Sequence, residues 1–475
     1  MIRRLGSAIA LALTISVPAL AHDGDLDRGF GIGGKVFQTL PGGAFLGRYA
    51  AAIGMQSSGQ FIVAASKVIS ATNQDFAALR VNADGSIDAS FGTGGAAVVA
   101  FDRSGSGLDD RLASIAVQAD DKIVLAGFVE GDATTSLDMG VVRLNGDGSR
   151  DLAFGVNGKT TVAFNLGTQG VGSAFTDTAE RVNLQADGQI LLVGQANTTT
   201  NAATPKAVMA VVRLNGSNGQ RDGTFDVDGR VTLSFGGDLA RGMQIRQLAD
   251  QAHILVVGGA YTMPGVSNAD FALAKLDAHG ALDPSFGVGG KATFAFDVGG
   301  GNSDIAYDFI ELPDGALFVC GIVTVSAPGN SDFGCMRFLA NGTPDPAFAP
   351  VLIPFDRGGD FADAALRMAP DALGRLVVVG YATGVTGNLD FAVARVMSDG
   401  TLDMSFGLGG TTTFSSVRNV PQAPPDRDNA ATGVLIQPDG KIVVAGLADS
   451  DGSGDYQIEL VRVIGDSIFA DGFGP

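Results

Sequence analysis

A motif written seven times at intervals near 60 residues, four strand-like runs inside each period, and a chain that starts and stops in mid-period together predict an all-β fold, a seven-bladed β-propeller with four antiparallel strands per blade. The motif is clearest as "ALDPSFGVGGK" at 281–291. It returns as "DLDRGFGIGGK", "SIDASFGTGGA", "SRDLAFGVNGK", "QRDGTFDVDGR", "TPDPAFAPVLI" and "TLDMSFGLGGT". Aligned on its aromatic residue it falls at Phe30, Phe91, Phe154, Phe225, Phe286, Phe348 and Phe406, separated by 61, 63, 71, 61, 62 and 58 residues.

The strands follow in a fixed order, shown by the second period. "AAVVAF" precedes a polar loop, then come "LASIAVQ", the tight turn "ADD", "KIVLAGF", a second loop, and "DMGVVRLN" before a turn at Asp147-Gly148. These runs are short, rich in Val, Ile, Leu, Ala and Phe, and bounded by Asp-Gly, Asn-Gly or Gly-Gly, which marks strands and hairpin turns; nothing is predicted to be helical. The second run carries small residues in "LASIAVQ", "AYDFIEL" and "AATGVLIQ", as strands crowding toward an axis require, so it is read as innermost. The run after the Phe-Gly motif is then the outer strand.

The ends decide between a ring and an open solenoid. The last period holds "ATGVLIQPDGKIVVAG" and "YQIELVRV" but no outer strand, and "DLDRGFGIGGKVFQTL" near the start is that missing piece. Residues Lys35 to Leu40 are expected to close the ring by pairing onto the C-terminal blade, which covers both exposed edges. The propeller then spans 22–463. A tail at 464–475 ends in "GDSIFADGFGP", where Phe473 stands 11 residues after Arg462, as in the repeats; a decayed eighth motif and a terminal export tag both fit.

Each period also places a basic residue on its third strand: Arg80, Arg143, Arg213, Lys275, Arg337, Arg395 and Arg462. Three residues before each motif phenylalanine stands an aspartate: Asp88, Asp151, Asp222, Asp283, Asp345 and Asp403 for the first six, with Asp27 left for Arg462 across the closure. A cation on an apolar strand needs a partner if buried. These seven pairs are expected to be structural, with the phenylalanine wedged between blades.

Composition bounds the rest. Residues 1–21 read as a secretory signal, with Arg3 and Arg4, an apolar run from Ala8 to Val17 and the exit "ALA". The mature chain is therefore expected outside the cytoplasm, secreted or periplasmic, or attached at the cell surface. No later run is long enough for a transmembrane segment. A net charge of −19, falling to −21 once the two arginines are removed, argues against nucleic acid and anionic lipid. Cys320 and Cys335 fall in consecutive predicted strands, where a disulfide and two buried thiols both remain open.

The pattern in "DFALAKLDAHGALDPSFGVGGK" and "IQPDGKIVVAG" resembles the delta-60 repeat family of bacterial exported proteins over nearly the whole mature chain. The resemblance implies a propeller-like fold and brings no catalytic residues. The third blade departs most, in "QANTTTNAATPKAVMAVVRLN", which lengthens one loop.

Function is read from what varies. The loops "FDRSGSGLDDR", "NLGTQGVGSAFTD", "FDVGGGNSD", "FDRGGDFAD" and "RNVPQAPPDRDN" gather on one face, which is acidic. Asp110, Asp177, Asp304 and Asp360, with Asp238 and Asp428 near the same register, are candidate ligands for calcium, which takes oxygen donors; the other reading is that each caps its own loop. A second set, Asp75, Asp138, Asp270, Asp332, Asp390 and Asp455, opens the third strand. No other cofactor is expected, and "DGDLD" and "DSDGSGD" lack the closing Glu of a calcium loop.

Catalysis is thinly supplied: His22, His253 and His279 sit in no visible triad. The expectation is a monomeric, non-catalytic binding or structural propeller that engages a protein or glycan partner through its acidic variable-loop face. The alternatives are a lactonase-like metal-dependent hydrolase using carboxylates at the channel mouth, and a lectin-like module using Tyr49, Tyr261, Tyr307, Tyr381 and Tyr456. The absence of Trp argues against quinone-dependent dehydrogenase propellers.

Overall fold

The computed structural model describes residues 22–39, 52–70, 72–101, 109–130, 137–167, 176–199, 206–265, 268–298, 303–326, 330–355, 362–384, 387–415, 429–449 and 456–466. The export signal expected at 1–21, most of the variable loops and residues 467–475 of the tail lie outside them. Within the described residues there is no helix, so none is long and apolar enough to cross a membrane.

Strand β1 (Lys35–Gln38) is followed by blade one, built of β2 (Ala52–Met55), β3 (Phe61–Ser70), β4 (Asn73–Val81) and β5 (Ala96–Val99), and by blade two, with β6 (Asp110–Val117), β7 (Ile123–Glu130), β8 (Leu137–Leu144) and β9 (Lys159–Val162). Blade three is β10 (Asp177–Leu184), β11 (Ile190–Asn197), β12 (Ala207–Leu214) and β13 (Arg230–Leu233), and blade four β14 (Ala240–Gln247), β15 (His253–Tyr261), β16 (Ala269–Asp277) and β17 (Lys291–Phe294). Blade five holds β18 (Asp304–Glu311), β19 (Leu317–Ser326), β20 (Asn330–Phe338) and β21 (Val351–Ile353), and blade six β22 (Ala364–Pro370), β23 (Leu376–Thr383), β24 (Leu389–Val396) and β25 (Thr411–Phe414). The seventh contains β26 (Ala430–Ile436), β27 (Ile442–Ala448) and β28 (Gln457–Val463). Each of the first six sheets is an antiparallel meander in chain order.

Blades stack face to face, so their middle strands are covered on both sides and read as unbroken apolar runs. Ile190 to Val193 of β11 are all 0% exposed. Six motif phenylalanines are equally buried, and Phe348 nearly so, its ring meeting Phe318 edge-on at 5.6 Å. Cys320 of β19 stands directly opposite Cys335 of β20, and the two form a disulfide. The register therefore selects the bridge over two separate thiols.

Closure follows the predicted route. β1 runs antiparallel to β28 with Lys35 opposite Val461 and Gln38 opposite Ile458, giving the seventh sheet the order β1-β28-β27-β26. The two segments also rebuild a turn. Gly24 N–H donates to Ile464 O at 2.7 Å and Ile464 N–H to Asp25 O at 2.9 Å, where blade one makes the same turn in one segment through Gly85 to Asn82 and Asn82 to Ser86. β26 packs on β22 and on β2, so the seven innermost strands surround a central channel.

One feature of those innermost strands was not predicted. In β6, β10, β14, β18, β22 and β26 the register slips at one shared position, for example between Ala179 and Arg181. This is a β-bulge, which adds twist where the strands converge. The bulged strand brings a carbonyl against a glycine of the next strand: a Cβ on Gly194 would stand 1.9 Å from Thr178 O. Replacing Gly194 with Ala should lower unfolding stability by about 1–3 kcal/mol, the usual cost of overpacking, whereas Gly223→Ala, with nothing near its Cβ, should change it little. Urea denaturation of both variants checks this; equal effects would show that the close approach is not crowded.

Candidate functional site

The structure brings all seven sequence-predicted pairs together. Arg80–Asp88, Arg143–Asp151, Arg213–Asp222, Lys275–Asp283, Arg337–Asp345, Arg395–Asp403 and Arg462–Asp27 are joined at 2.6 to 3.1 Å. In each, the aspartate divides its work. One oxygen takes the cation, and the other accepts the backbone N–H two residues on, as Asp283 does from Ser285 at 3.0 Å and Asp27 from Gly29 at 3.0 Å. Five of the arginines lie over the motif ring at 4.5 to 5.1 Å, a cation–π contact. Several then cross to the next blade: Arg80 donates to Gly146 O at 2.7 Å and Arg213 to Ala278 O at 2.6 Å. These residues are joints between blades.

Among the described residues the candidate calcium ligands form no shared group. Asp110, Asp177 and Asp304 accept backbone N–H groups from Phe101 at 2.6 Å, Phe164 at 2.6 Å and Phe296 at 2.9 Å, just past the outer strand of the preceding blade, and Asp177 and Asp304 accept further ones from Asn165 and Thr324. Each is thus a staple between one blade's last strand and the next blade's first. Asp360 lies outside the described residues, as do Asp428 and Asp455. The place equivalent to Asp304 is held by Asp363, which accepts from Phe355 at 2.9 Å and Thr383 at 3.0 Å. Among the described residues no group of three or more His, Cys, Asp or Glu is arranged to hold a metal ion.

Burial gives two of these staples unusual acidity. Asp177 and Asp304 are pushed up to about 6 by desolvation, with Asp138 adding to the first and Asp270 to the second by like-charge repulsion. The second predicted set, Asp75, Asp138, Asp270, Asp332 and Asp390, is buried at the start of the third strands. The other candidates are scattered. His253 bonds Asp250 at 2.6 Å beside the joint aspartate Asp283, and Tyr307 and Tyr381 pack with Ile322 against a small apolar cluster.

What the sequence reading missed is a layer in the channel. The residue just after the bulge is Ser114 in β6, Arg181 in β10, Gln244 in β14, Asp308 in β18, Arg367 in β22 and Gly433 in β26, and their register partners show that Ala52 of β2 stands in the same place. All of these residues but the fully buried Ser114 line a cavity of about 410 Å³, together with Arg246. Asp308 is fully engaged: it meets Arg246 at 2.9 Å, Gln244 at 2.9 Å, and the backbone N–H groups of Phe309 at 2.8 Å and Met368 at 2.9 Å. Aligning the innermost strands on their turns would have exposed the layer, since it is where the periods stop repeating.

Six stretches, 56–91, 118–154, 254–286, 312–348, 374–406 and 437–463, match a sequence family described as "Domain of unknown function (DUF5122) beta-propeller". Five of them end on a motif phenylalanine, and the third blade, with the longest period, is unmatched. The chain is a propeller-repeat protein. No curated protein matches the sequence. Among solved structures it is similar to polysaccharide lyase Uly1 (11% identity, 95% of this chain and 98% of that one, TM-score 0.46). It is also similar to the α-L-arabinofuranosidase Arb93A of Fusarium graminearum (12% identity, 90% and 96%, TM-score 0.43). Likenesses this distant carry no activity over.

The raised aspartates predict a pH dependence. Between the ordinary value of 3.8 and about 6 the native Asp304 keeps a proton that the unfolded chain has released. Its contribution is therefore favourable at low pH and is lost as pH rises through 6. Asp304→Asn should flatten the fall in stability between pH 4 and 6, read as the urea midpoint against pH. An unchanged slope would contradict the assignment.

Proposed function

We propose that this chain is an exported, non-catalytic binding propeller whose ligand sits in the central channel. One observation carries the reading: side chains that recur from blade to blade have structural duties, whereas the layer of Ala52, Ser114, Arg181, Gln244, Asp308, Arg367 and Gly433 changes along the ring, only Arg being used twice, and is polar at five of its seven places. Within the described strands, polar variation gathered around one cavity of a repeating frame supports that cavity as the ligand seat. Export is supported by the 1–21 leader pattern and agrees with the Cys320–Cys335 bridge, which suits an oxidising compartment. The repeat also resembles the delta-60 family of exported proteins.

The other readings find less support. A lactonase-like hydrolase needs carboxylates gathered on a cation, and Asp110, Asp177 and Asp304 each spend an oxygen on a backbone staple. A lectin-like module needs an exposed aromatic platform, and Tyr307 and Tyr381 lie against an apolar cluster. Engagement through the acidic loop face rests on loops outside the described residues.

The channel reading is tested by a thermal-shift panel of glucose, glucuronate, malonate, inorganic phosphate and arginine on the wild type and on Asn183→Trp, which fills the cavity from a lining position. At least one compound should raise the Tm of the wild type and leave the variant unmoved. No shift with any of them, or the same shift in both proteins, would contradict it.

A further inference from the structure

We propose that the channel is an oxyanion site, in which Arg181 and Arg367 grip the carboxylate or phosphate head of a small polar ligand. The inference deepens the channel reading above and rests on it. The cavity gathers three guanidinium groups, Arg181, Arg246 and Arg367, around a single carboxylate, Asp308, in a chain whose overall charge is −19. Asp308 has four donors already, two of them backbone N–H groups, and Arg246 is consumed by it and by the carbonyl of Phe309. Two cations are therefore left over.

Their free atoms point to the ligand's shape. Arg181 is 8% exposed and reaches Ser114 Oγ only through Nη1, at a long 3.4 Å. Its Nε and Nη2 are buried with no hydrogen-bond partner among the described residues, and so is Nε of Arg367, whose Nη1 donates to the carbonyl of Leu366. Nε and Nη2 form the side-on edge of a guanidinium, the edge whose two parallel N–H groups match two oxygens on one carbon or phosphorus atom. A buried, unpaired cation is costly to maintain, and an anion seated on that edge repays the cost. Burial pushes Arg181 down to about 10, with Asp308 opposing the fall and Arg246 adding to it, so the group is still charged at neutral pH. Asn183 and Thr432 also line the cavity and suit hydroxyl or amide groups on the rest of the ligand.

Low-salt calorimetry with malonate and inorganic phosphate, and with glucose as a neutral control, tests the assignment on the wild type, Arg181→Gln and Arg367→Gln. One equivalent of malonate or phosphate should bind the wild type, with affinity at least tenfold weaker in each variant. The preferred anion identifies the head as carboxylate or phosphoryl. Without anion, Arg181→Gln should melt at or above the wild-type Tm, because an unpaired buried charge has been removed. A Tm several degrees lower would make Arg181 a structural residue and overturn the proposal, as would anion binding unchanged in both variants or absent from the wild type. Glucose binding in the absence of anion binding would overturn the oxyanion assignment while leaving the channel as a ligand seat.

Discussion

The ion pair at each blade joint, buried in four and half-buried in three, is the interaction on which the rest of the molecule depends. A guanidinium placed on the third strand of an apolar sheet is tolerable only if its charge and its donors are all answered. The motif aspartate answers the charge, and at five joints the motif phenylalanine covers the face of the group and the next blade's turn supplies a carbonyl. One side chain thereby fixes strand, motif and neighbour together. Arg395 shows the limit, with 0% exposure and both Asp403 and Asp23 within 2.8 Å. Because Asp23 comes from the start of the chain, the joint also draws the N-terminal segment into the ring.

The same logic explains what could be read from sequence. Seven copies in one chain act as their own comparison, so positions required by the fold, such as Phe286, Asp283 and Lys275, stand out by recurrence, and the pairing of Asp27 with Arg462 follows from counting. The bulge was not legible, because its signature is a single glycine such as Gly194 inside an ordinary strand pattern. The cysteine bridge needed a register, which sequence leaves open. Asp360 lies outside the described residues, and Asp363 makes the backbone contacts equivalent to those of Asp304. The carboxylate staples were singled out as polar and periodic, but periodicity by itself does not distinguish a shared ligand from a repeated backbone contact.

The channel layer escaped for the opposite reason. Reading by recurrence hides whatever does not recur, and at this position Asp308 stands in one blade only and arginine in two of the seven, Arg181 and Arg367. Frame and site are thus complementary in this molecule: sevenfold chemistry holds the ring, and departures from it line the axis. A chain that is acidic overall turns basic around that cavity, where Arg181, Arg246 and Arg367 outnumber Asp308.

The central claim, that paired charges lock the joints and the closure, is tested most directly by a double-mutant cycle on Arg462 and Asp27, partners 435 residues apart in sequence. Arg462→Met removes the charge and keeps the stem, and Asp27→Asn keeps the bond from Gly29. The account predicts a coupling energy of about 2 kcal/mol or more in urea unfolding; additivity within about 0.5 kcal/mol would contradict it.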